Sequence, residues 1–168
     1  MKKIEGGVCA PEGFKANGVH CGIRKNKTKR DLALIVSDVR CSAACVYTQN
    51  LVKGAPITVT KRHVADGYAQ AIVCNSGNAN TCNANGEEIA EGMCGLVSDK
   101  TGIPAEDVVV ASTGVIGQPL SLEPIAAGMD ELVKGLGDNS LFAAQGIMTT
   151  DTVDKQIAYT FTLGGKEC

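Results

Sequence analysis

Short runs of apolar residues that end in small polar residues are the feature that most restricts how this chain can fold. Residues 32–36 (LALIV) and 108–111 (VVVA) are short and contain several β-branched side chains, so they predict buried strands. Residues 70–74 predict a third strand, which is followed directly by Asn, Ser and Gly. Between the strands at 70–74 and 108–111, residues 85–101 have helical spacing of their apolar residues. This arrangement predicts an α/β fold in which sheets pack against helices.

Three helices are predicted after residue 84. The first has acidic residues near its N-terminal end and is ended by Gly102 and Pro104. Two further helices are predicted to be capped by Ser121 and Ser140, because a Ser side chain accepts a hydrogen bond from a free N–H of the first turn. The apolar stripe of the first helix consists of Ile89, Met93, Leu96 and Val97.

The other predicted elements are strands. Residues 7–40 predict a hairpin, and its turn at 24–30 carries five cations in seven residues. This basic turn is interpreted as a solvated hairpin tip, with a polyphosphate site as the alternative. Residues 44–48 and 56–60 predict two more strands. The run of Asn and Gly at 75–80 is predicted to end its strand, because these residues favour turns.

The last predicted strand covers residues 157–163. Apolar and polar residues alternate there with period two, and Gly164–Gly165 is a hairpin signal. Three residues later the sequence stops, which would leave an unpaired apolar edge that natural folds avoid. We therefore expect a second polypeptide, or further residues, to complete this sheet.

Composition excludes several classes of function. The chain has 168 residues, a formal net charge of −2 and 4% aromatic residues, so neither a nucleic-acid binder nor a base-stacking surface is indicated. No window has 18 consecutive apolar residues, and the N-terminus lacks the apolar stretch of a secretory signal. We expect one soluble, cytoplasmic unit over residues 1–168.

The eight cysteines are interpreted as reduced and mostly structural. They make up about 5% of the chain, below the range of disulfide scaffolds. Most lie among Ala, Val and Gly, as buried thiols do. Cys41 and Cys45 are spaced Cys-x3-Cys, which leaves a small zinc-binding module as an alternative. No metal site is predicted.

Two strand ends are the candidate sites for chemistry. They open into residues 75–85 and 112–117, which are rich in amide and hydroxyl side chains, and ligands usually bind where the strands of an α/β sheet end. In Thr113–Gly114, a hydroxyl and an unhindered backbone N–H could point at one developing oxyanion, although a plain turn remains the alternative. His20 and His63 are the only histidines, and both are interpreted as structural, with His63 on an exposed face. Oxyanion donors are thus present without a convincing nucleophile and base.

Five motifs in a fixed order give the chain a resemblance to a known family. Together they resemble the α chain of ornithine acetyltransferase, also called bifunctional glutamate N-acetyltransferase, of arginine biosynthesis. The motifs are residues 6–14 (GGVCAPEGF), 18–23 (GVHCGI), 75–80 (NSGNAN), 111–117 (ASTGVIG) and 147–151 (IMTTD).

The resemblance implies a self-cleaved, two-chain enzyme with a helix-sheet-sheet-helix sandwich. In the family, the precursor cuts itself before a Thr, which becomes the N-terminal nucleophile of the β chain and uses its own α-amine as base. Acetyl moves from N-acetylornithine to this Thr and then to glutamate. Thr113 and Gly114 match the oxyanion hole, and Thr149 matches a substrate-binding position, with Thr150 as the neighbouring candidate.

The resemblance also implies partners and limits. The family continues with a segment that contains a binding Lys and the nucleophilic Thr, and this sequence ends before it. We expect a β chain from the same precursor, an α2β2 heterotetramer, and no cofactor, with acetyl-CoA as a possible second substrate. An N-terminal-nucleophile aminopeptidase, which passes the acyl group to water, and the Cys-rich binding module are the alternatives.

Overall fold

The computed structural model describes residues 1–168 and consists of strands and helices that alternate through most of the chain. The predicted α/β class is confirmed. The helices are α1 (Ala55–His63), α2 (Gly86–Thr101), α3 (Glu123–Lys134) and α4 (Ser140–Ile147). The strands are β1 (Lys2–Ile4), β2 (Phe14–Val19), β3 (Leu32–Ser42), β4 (Tyr68–Asn78), β5 (Val108–Val115), β6 (Ala158–Thr160), β7 (Thr162–Leu163) and β8 (Lys166–Glu167).

A four-stranded sheet with the order β2-β3-β4-β5 forms the centre of the fold. The predicted hairpin is confirmed as the antiparallel pair β2–β3, in which Phe14 lies opposite Ser37. Strand β4 is antiparallel to β3 and parallel to β5. The parallel pair is joined through α2, as parallel strands require a crossover connection. The three strands predicted from apolar runs therefore lie side by side.

The two faces of this sheet are covered unequally. Helices α1, α2 and α3 pack against what we call the closed face, whose side chains include Leu32, Leu34, Val73 and Val108, all 0% exposed. Helix α4 packs on part of the opposite face, which we call the open face. Of the four layers expected, this chain forms the main sheet and the helix layer of α1, α2 and α3, with α4 on part of the other face. The open face includes Ala33, Ile35, Ile72, Cys74, Val109 and Ala111.

Two predicted strands are wrong. Residues 44–48 have no regular structure, and residues 56–60 lie within helix α1. The β-branched residues of α1 suggested a strand, but Pro56 lies in the first turn of the helix, where it is tolerated. Thr60 then uses its hydroxyl twice, donating to the Val110 carbonyl (2.8 Å) and accepting from the Val110 N–H (3.1 Å). Helix α1 thus covers the edge strand β5, and this contact outweighs local propensity.

Helix α2 begins and ends where the sequence predicts, and Gly102 in the left-handed region follows its last turn. The predicted caps are displaced by one residue, because Leu122 and Asn139 occupy the positions before α3 and α4. The Ser121 hydroxyl still accepts a hydrogen bond from the Glu123 N–H (3.2 Å). Ser140 is already inside α4.

The C-terminal strand is divided. Residues 158–160 pair with β1, and residues 162–163 pair with β8 around the predicted Gly164–Gly165 turn. The strand is interrupted at Phe161, whose backbone pairs with Cys168 instead. Several apolar side chains of this segment stay exposed. They are Ile157, Tyr159, Phe161 and Leu163.

The prediction that His63 lies on an exposed face was wrong. Its side chain lies between helix α1, strand β5 and helix α2. Its ring is 10% exposed, with Nδ1 2.8 Å from the Val108 carbonyl oxygen and Nε2 3.1 Å from a Glu91 carboxylate oxygen. It therefore ties α1 to β5 and α2. No helix in the structure is both long and apolar enough to span a bilayer.

All eight cysteines are free thiols. Cys94 is fully buried against the closed face, as a structural thiol should be. The expectation that most cysteines are buried was wrong for Cys45, Cys82 and Cys168, which are exposed. These exposed thiols lie in loops or in the C-terminal hairpin, where neighbouring small residues do not imply a core position.

Candidate active site at the paired ends of β4 and β5

The two candidate loops of the sequence are the paired ends of two parallel strands. Strand β4 continues through Asn75, Ser76, Gly77 and Asn78, so the prediction that this run ends the strand was wrong. Ser76 lies opposite Thr113, and Gly77 lies opposite Gly114. Since parallel strands end at the same edge of a sheet, the structure brings both candidate segments together.

Two glycines allow the strand ends to approach closely. Gly77 has φ +95° and Gly114 has φ +137°, which side chains other than glycine rarely adopt. A Cβ on Gly114 would lie 2.4 Å from the Gly77 carbonyl carbon and 2.6 Å from the Asn78 nitrogen. Only glycine fits there. Because Gly114 is also exposed, a small molecule can reach its backbone.

Thr113 lies on the open face, since strand alternation puts it on the same side as Ala111. It is half-buried, and its hydroxyl has no hydrogen-bond partner within the chain. Its neighbour Ser112 faces the other side and donates a hydrogen bond of 2.6 Å to Asn75 Oδ1. Of the two hydroxyls, that of Thr113 is thus the one free to bind a ligand.

Buried amides behind the strand ends hold them in place, and the sequence did not identify them as positioning residues. Asn75 is 0% exposed and donates to the Asn78 carbonyl (2.9 Å). Asn78 donates to the Gln118 carbonyl (3.0 Å) and accepts from the Asn80 N–H (2.8 Å). Buried amides of this kind must be satisfied, so the network fixes the backbone around Gly114. The Asn-rich composition was the available signal, although it suggested a turn.

Thr149 and Thr150 follow helix α4 in an irregular segment. Thr149 is half-buried, and its N–H donates to Asp151 Oδ2 (3.3 Å), whereas Thr150 is exposed. The end of α4 is attached to β4, because the buried Ser76 hydroxyl donates to the Gly146 carbonyl (2.6 Å). The structure thus brings the segment after α4 to the edge that carries Thr113, although no hydrogen bond joins Thr113 and Thr149.

A cavity of about 410 Å³ lies on the open face between these two segments. It includes Ala111, two residues before Thr113, and Ile147, two residues before Thr149. Its walls are mainly apolar, as in most small-molecule sites. The residues around it are Val8, Ala33, Ile35, Ile72, Cys74, Ala111, Ser140, Ala143, Ala144, Ile147, Lys155, Gln156 and Ile157.

The titratable groups near the cavity do not form a nucleophile and base. Burial raises the pKa of the Cys74 thiol to about 12, so it stays protonated at neutral pH. The ion pair with Lys155 lowers the pKa of Asp151, with help from the Thr149 N–H. His20 is used structurally, with Nδ1 2.9 Å from the Lys29 carbonyl oxygen and 3.2 Å from Asp31 Oδ2. None of these groups therefore supplies a nucleophile and base pair beside the strand ends.

The zinc alternative has no ligand set. No three His, Cys, Asp or Glu side chains are grouped so that they could hold a metal ion. The Cys41 thiol is 3.2 Å from the Ser37 hydroxyl and donates to the Val39 carbonyl, while Cys45 is exposed.

Comparison with known proteins gives consistent similarities. The model of the ArgJ family matches residues 15–168. A protein of Symbiobacterium thermophilum named arginine biosynthesis bifunctional protein ArgJ is 45% identical over 98% of this chain and 42% of its own length. The protein of the same name from Bacillus subtilis is 42% identical over 98% of this chain and 40% of its own length. The chain therefore spans about two fifths of the length of the curated relatives it matches.

Two solved structures share the fold. The crystal structure of arginine biosynthesis bifunctional protein argJ from Bacillus halodurans has a TM-score of 0.90 and 37% identity, over 98% of this chain and 87% of that chain. Ornithine acetyltransferase from Mycobacterium tuberculosis, complexed with ornithine, has a TM-score of 0.84 and 35% identity, over 93% of this chain and 86% of that chain.

Proposed function

The chain belongs to the ArgJ family, and from this premise we propose that it is the α part of an acetyltransferase that moves acetyl from N-acetylornithine to glutamate. The observation that carries the proposal is the pair Thr113–Gly114. It offers a free hydroxyl and an accessible glycine backbone at a strand end that buried amides hold rigid. Such preorganised donors are what an acyl-transfer site needs, because they stabilise the charge that develops on the carbonyl oxygen.

In the proposed reaction, the hydroxyl of an N-terminal Thr on a second chain attacks the acetyl carbonyl of N-acetylornithine. The carbonyl electrons move to oxygen, and the Thr113 hydroxyl and the Gly114 N–H donate hydrogen bonds to this oxyanion. The C–N bond breaks, the amine takes a proton through the α-amine of the nucleophile, and ornithine leaves. The amine of glutamate then attacks the acetyl ester and releases the Thr hydroxyl, giving N-acetylglutamate.

Differences in length support a two-chain assembly. This chain covers 87% of the solved Bacillus halodurans chain but only 42% of the Symbiobacterium thermophilum protein. Solved chains much shorter than the curated proteins are what a precursor cut in two would give. We therefore propose a β chain from the same precursor as the partner, and an α2β2 assembly.

The remaining parts of the proposal concern substrates. Thr149 contacts the substrate, with Thr150 as the neighbouring candidate, since the segment after α4 adjoins the cavity on the open face. The relatives are named bifunctional, which supports acetyl-CoA as an additional acetyl donor. No resident cofactor is required, because each step is an acyl transfer between nucleophiles. The eight free thiols favour a reducing location such as the cytoplasm.

The first experiment is intact-mass measurement and N-terminal sequencing of the protein expressed from its full-length gene. We expect two chains, the second of which begins with Thr, and acetyl transfer from N-acetylornithine to glutamate. A single uncut chain without this activity would refute the proposal.

The oxyanion donor is tested by substitution in the two-chain enzyme. Thr113→Ala should lower kcat by about 10²- to 10³-fold, as loss of one such donor typically does. Thr113→Ser keeps the hydroxyl and should retain most of the activity. Equal kcat values for the Ala variant and the unmodified enzyme would remove Thr113 from the oxyanion hole.

The substrate contact is tested separately. Thr149→Ala should chiefly raise KM for N-acetylornithine, because it removes a binding interaction while the oxyanion donors stay in place. Thr150→Ala is the matched variant, and a larger rise in KM for Thr150→Ala would shift the assignment by one residue.

A further inference from the structure

A second cavity, of about 240 Å³, lies beside the basic turn that the sequence analysis interpreted as a solvated hairpin tip. Lys25 and Lys27 are exposed, as that interpretation requires. Arg24 and Arg30 are half-buried instead and line the cavity. The full set around it is Arg24, Thr28, Lys29, Arg30, Gln145, Met148 and Asp154.

The two arginines of this cavity differ from the other two arginines of the chain. Arg40 and Arg62 each form ion pairs with two carboxylates. Arg24 and Arg30 have no carboxylate partner. Because an isolated guanidinium is costly to bury, two half-buried, unpaired arginines in one cavity indicate a place for an anion.

Arg24 keeps most of its donors free. Its guanidinium has five N–H donors, and only Nη2 has an acceptor in the chain, the Met148 carbonyl. Its Nε–H is buried without a partner. Arg30 donates from Nε to the Gly18 carbonyl (2.8 Å) and from Nη1 to Gln145 Oε1 (2.9 Å), so its Nη2 stays available.

Both arginines are held in position before any ligand arrives. The fully buried Asp31 carboxylate accepts hydrogen bonds from the backbone N–H groups of Cys21 (2.6 Å) and Arg24 (2.9 Å), which fixes the backbone at Arg24. The Arg30 guanidinium stacks 3.8 Å from the centre of the Phe142 ring. A preorganised site loses less entropy on binding than flexible surface lysines do.

Charge and size define the ligand. Three cations and one acid, Asp154, line the cavity, so its formal charge is +2. The N–H groups left free on the two guanidiniums, together with the Lys29 ammonium, match the several oxygens of a phosphate better than the two of a carboxylate. The cavity is smaller than the ~300–1,000 Å³ typical of sites for whole ligands, so it suits one charged group of a ligand. We propose that this cavity binds a phosphate group.

Its position links it to the candidate active site. Arg24 holds the Met148 carbonyl, and Met148 precedes Thr149. The stem of Arg24 also lies against Gly77, where a Cβ would be 2.8 Å from Arg24 Cγ, and Gly77 pairs with Gly114. The phosphate belongs either to a nucleotide-bearing acyl donor or to free inorganic phosphate. Only the first source rests on the proposed function.

The test is isothermal titration of the full-length, processed protein with adenosine 3′,5′-bisphosphate and, separately, with inorganic phosphate. Arg24→Gln should weaken binding about 10-fold or more, the usual loss for a charged hydrogen-bond donor. The matched control is Lys25→Gln, which removes the same charge from the next residue, outside the cavity, and should weaken binding less than about 2-fold. Lys29→Gln is an additional variant, because this exposed side chain can be changed without disturbing the fold.

Each outcome decides the proposal. Weakening by Arg24→Gln or Lys29→Gln but not by Lys25→Gln supports the site. No binding of either phosphate compound, equal weakening by Lys25→Gln, or binding of acetate as tight as that of phosphate would overturn it. Tighter binding of the bisphosphate than of phosphate assigns the nucleotide source, and equal binding assigns free phosphate. Since the readout is binding, a failure of acetyl transfer would refute the proposed function alone.

Discussion

The closed and open faces of the central sheet are built from the same strands but are covered differently. On the closed face, Leu34 and Val73 are 0% exposed beneath helices α1–α3. On the open face, Ile72 is 41% exposed, although its neighbour Val73 belongs to the core. The closed face thus carries the packing that stabilises the fold, while the open face carries the cavity of about 410 Å³ and the free hydroxyl of Thr113. One apolar strand can serve both purposes, because successive side chains point to opposite faces.

Truncation on each face is the strongest test of this comparison. Leu34→Ala should lower the free energy of unfolding by about 2–5 kcal/mol, because it removes buried methyl groups and leaves a cavity. Ile72→Ala removes side-chain volume from a site that is already partly open, so we expect a loss below about 1.5 kcal/mol. Urea denaturation of both variants measures the difference. Equal losses would mean that the open face is as well packed as the closed one.

The amide network tests whether the site depends on buried groups behind it. Asn75→Ala removes the acceptor of the Ser112 hydroxyl and the side-chain donor to the Asn78 carbonyl, which should cost about 1–3 kcal/mol of stability. It should also lower acetyl transfer, because Gly114 loses its support. The control is Asn50→Ala, whose amide oxygen accepts only from the N–H of Val52 in an exposed loop. Unchanged stability and activity in Asn75→Ala would show that the ends of β4 and β5 keep their positions without the Asn75 side chain.

Two thiols with similar pKa values allow a smaller test. Burial raises the pKa of Cys94, on the closed face, and of Cys74, on the open face, from 9.0 to about 12. Above pH 9 the unfolded chain loses the Cys94 proton while the native chain keeps it, so stability falls between pH 9 and pH 12 and is unaffected below pH 9. By pH 10 the loss should be about 1 kcal/mol for Cys94.

The measurement is urea denaturation at pH 8 and pH 10. Cys94→Ala should reduce the difference in stability between the two pH values, whereas Cys82→Ala, which changes an exposed thiol, should leave it unchanged. Alkylation separates the faces, since Cys74 should react before Cys94 because the open face needs no unfolding. Modification of Cys74 and Cys94 at the same rate would contradict the conclusion that helices cover the closed face more completely than the open face.

Local patterns accounted for much of the fold. Strands at residues 32–36, 70–74 and 108–111 and helix α2 were predicted because their periodicity is strong and tertiary contacts agree with it. Helix α1 was missed because its β-branched residues favour a strand locally, and the hydrogen bonds between Thr60 and Val110 exist only after folding. The same holds for the continuation of β4 through Asn75–Asn78, which depends on pairing with β5.

The sequence by itself determined the α/β class, the candidate pair Thr113–Gly114 and the family resemblance, because these depend on residues that are close along the chain. Only the tertiary structure decided which face of the sheet is closed, that Asn75 supports Ser112, and that Arg24 reaches Met148. Those contacts join residues far apart in sequence. Their formation depends on the packing of every element between them, and hydrophobic spacing gives the two faces of a strand without specifying which one a helix will cover.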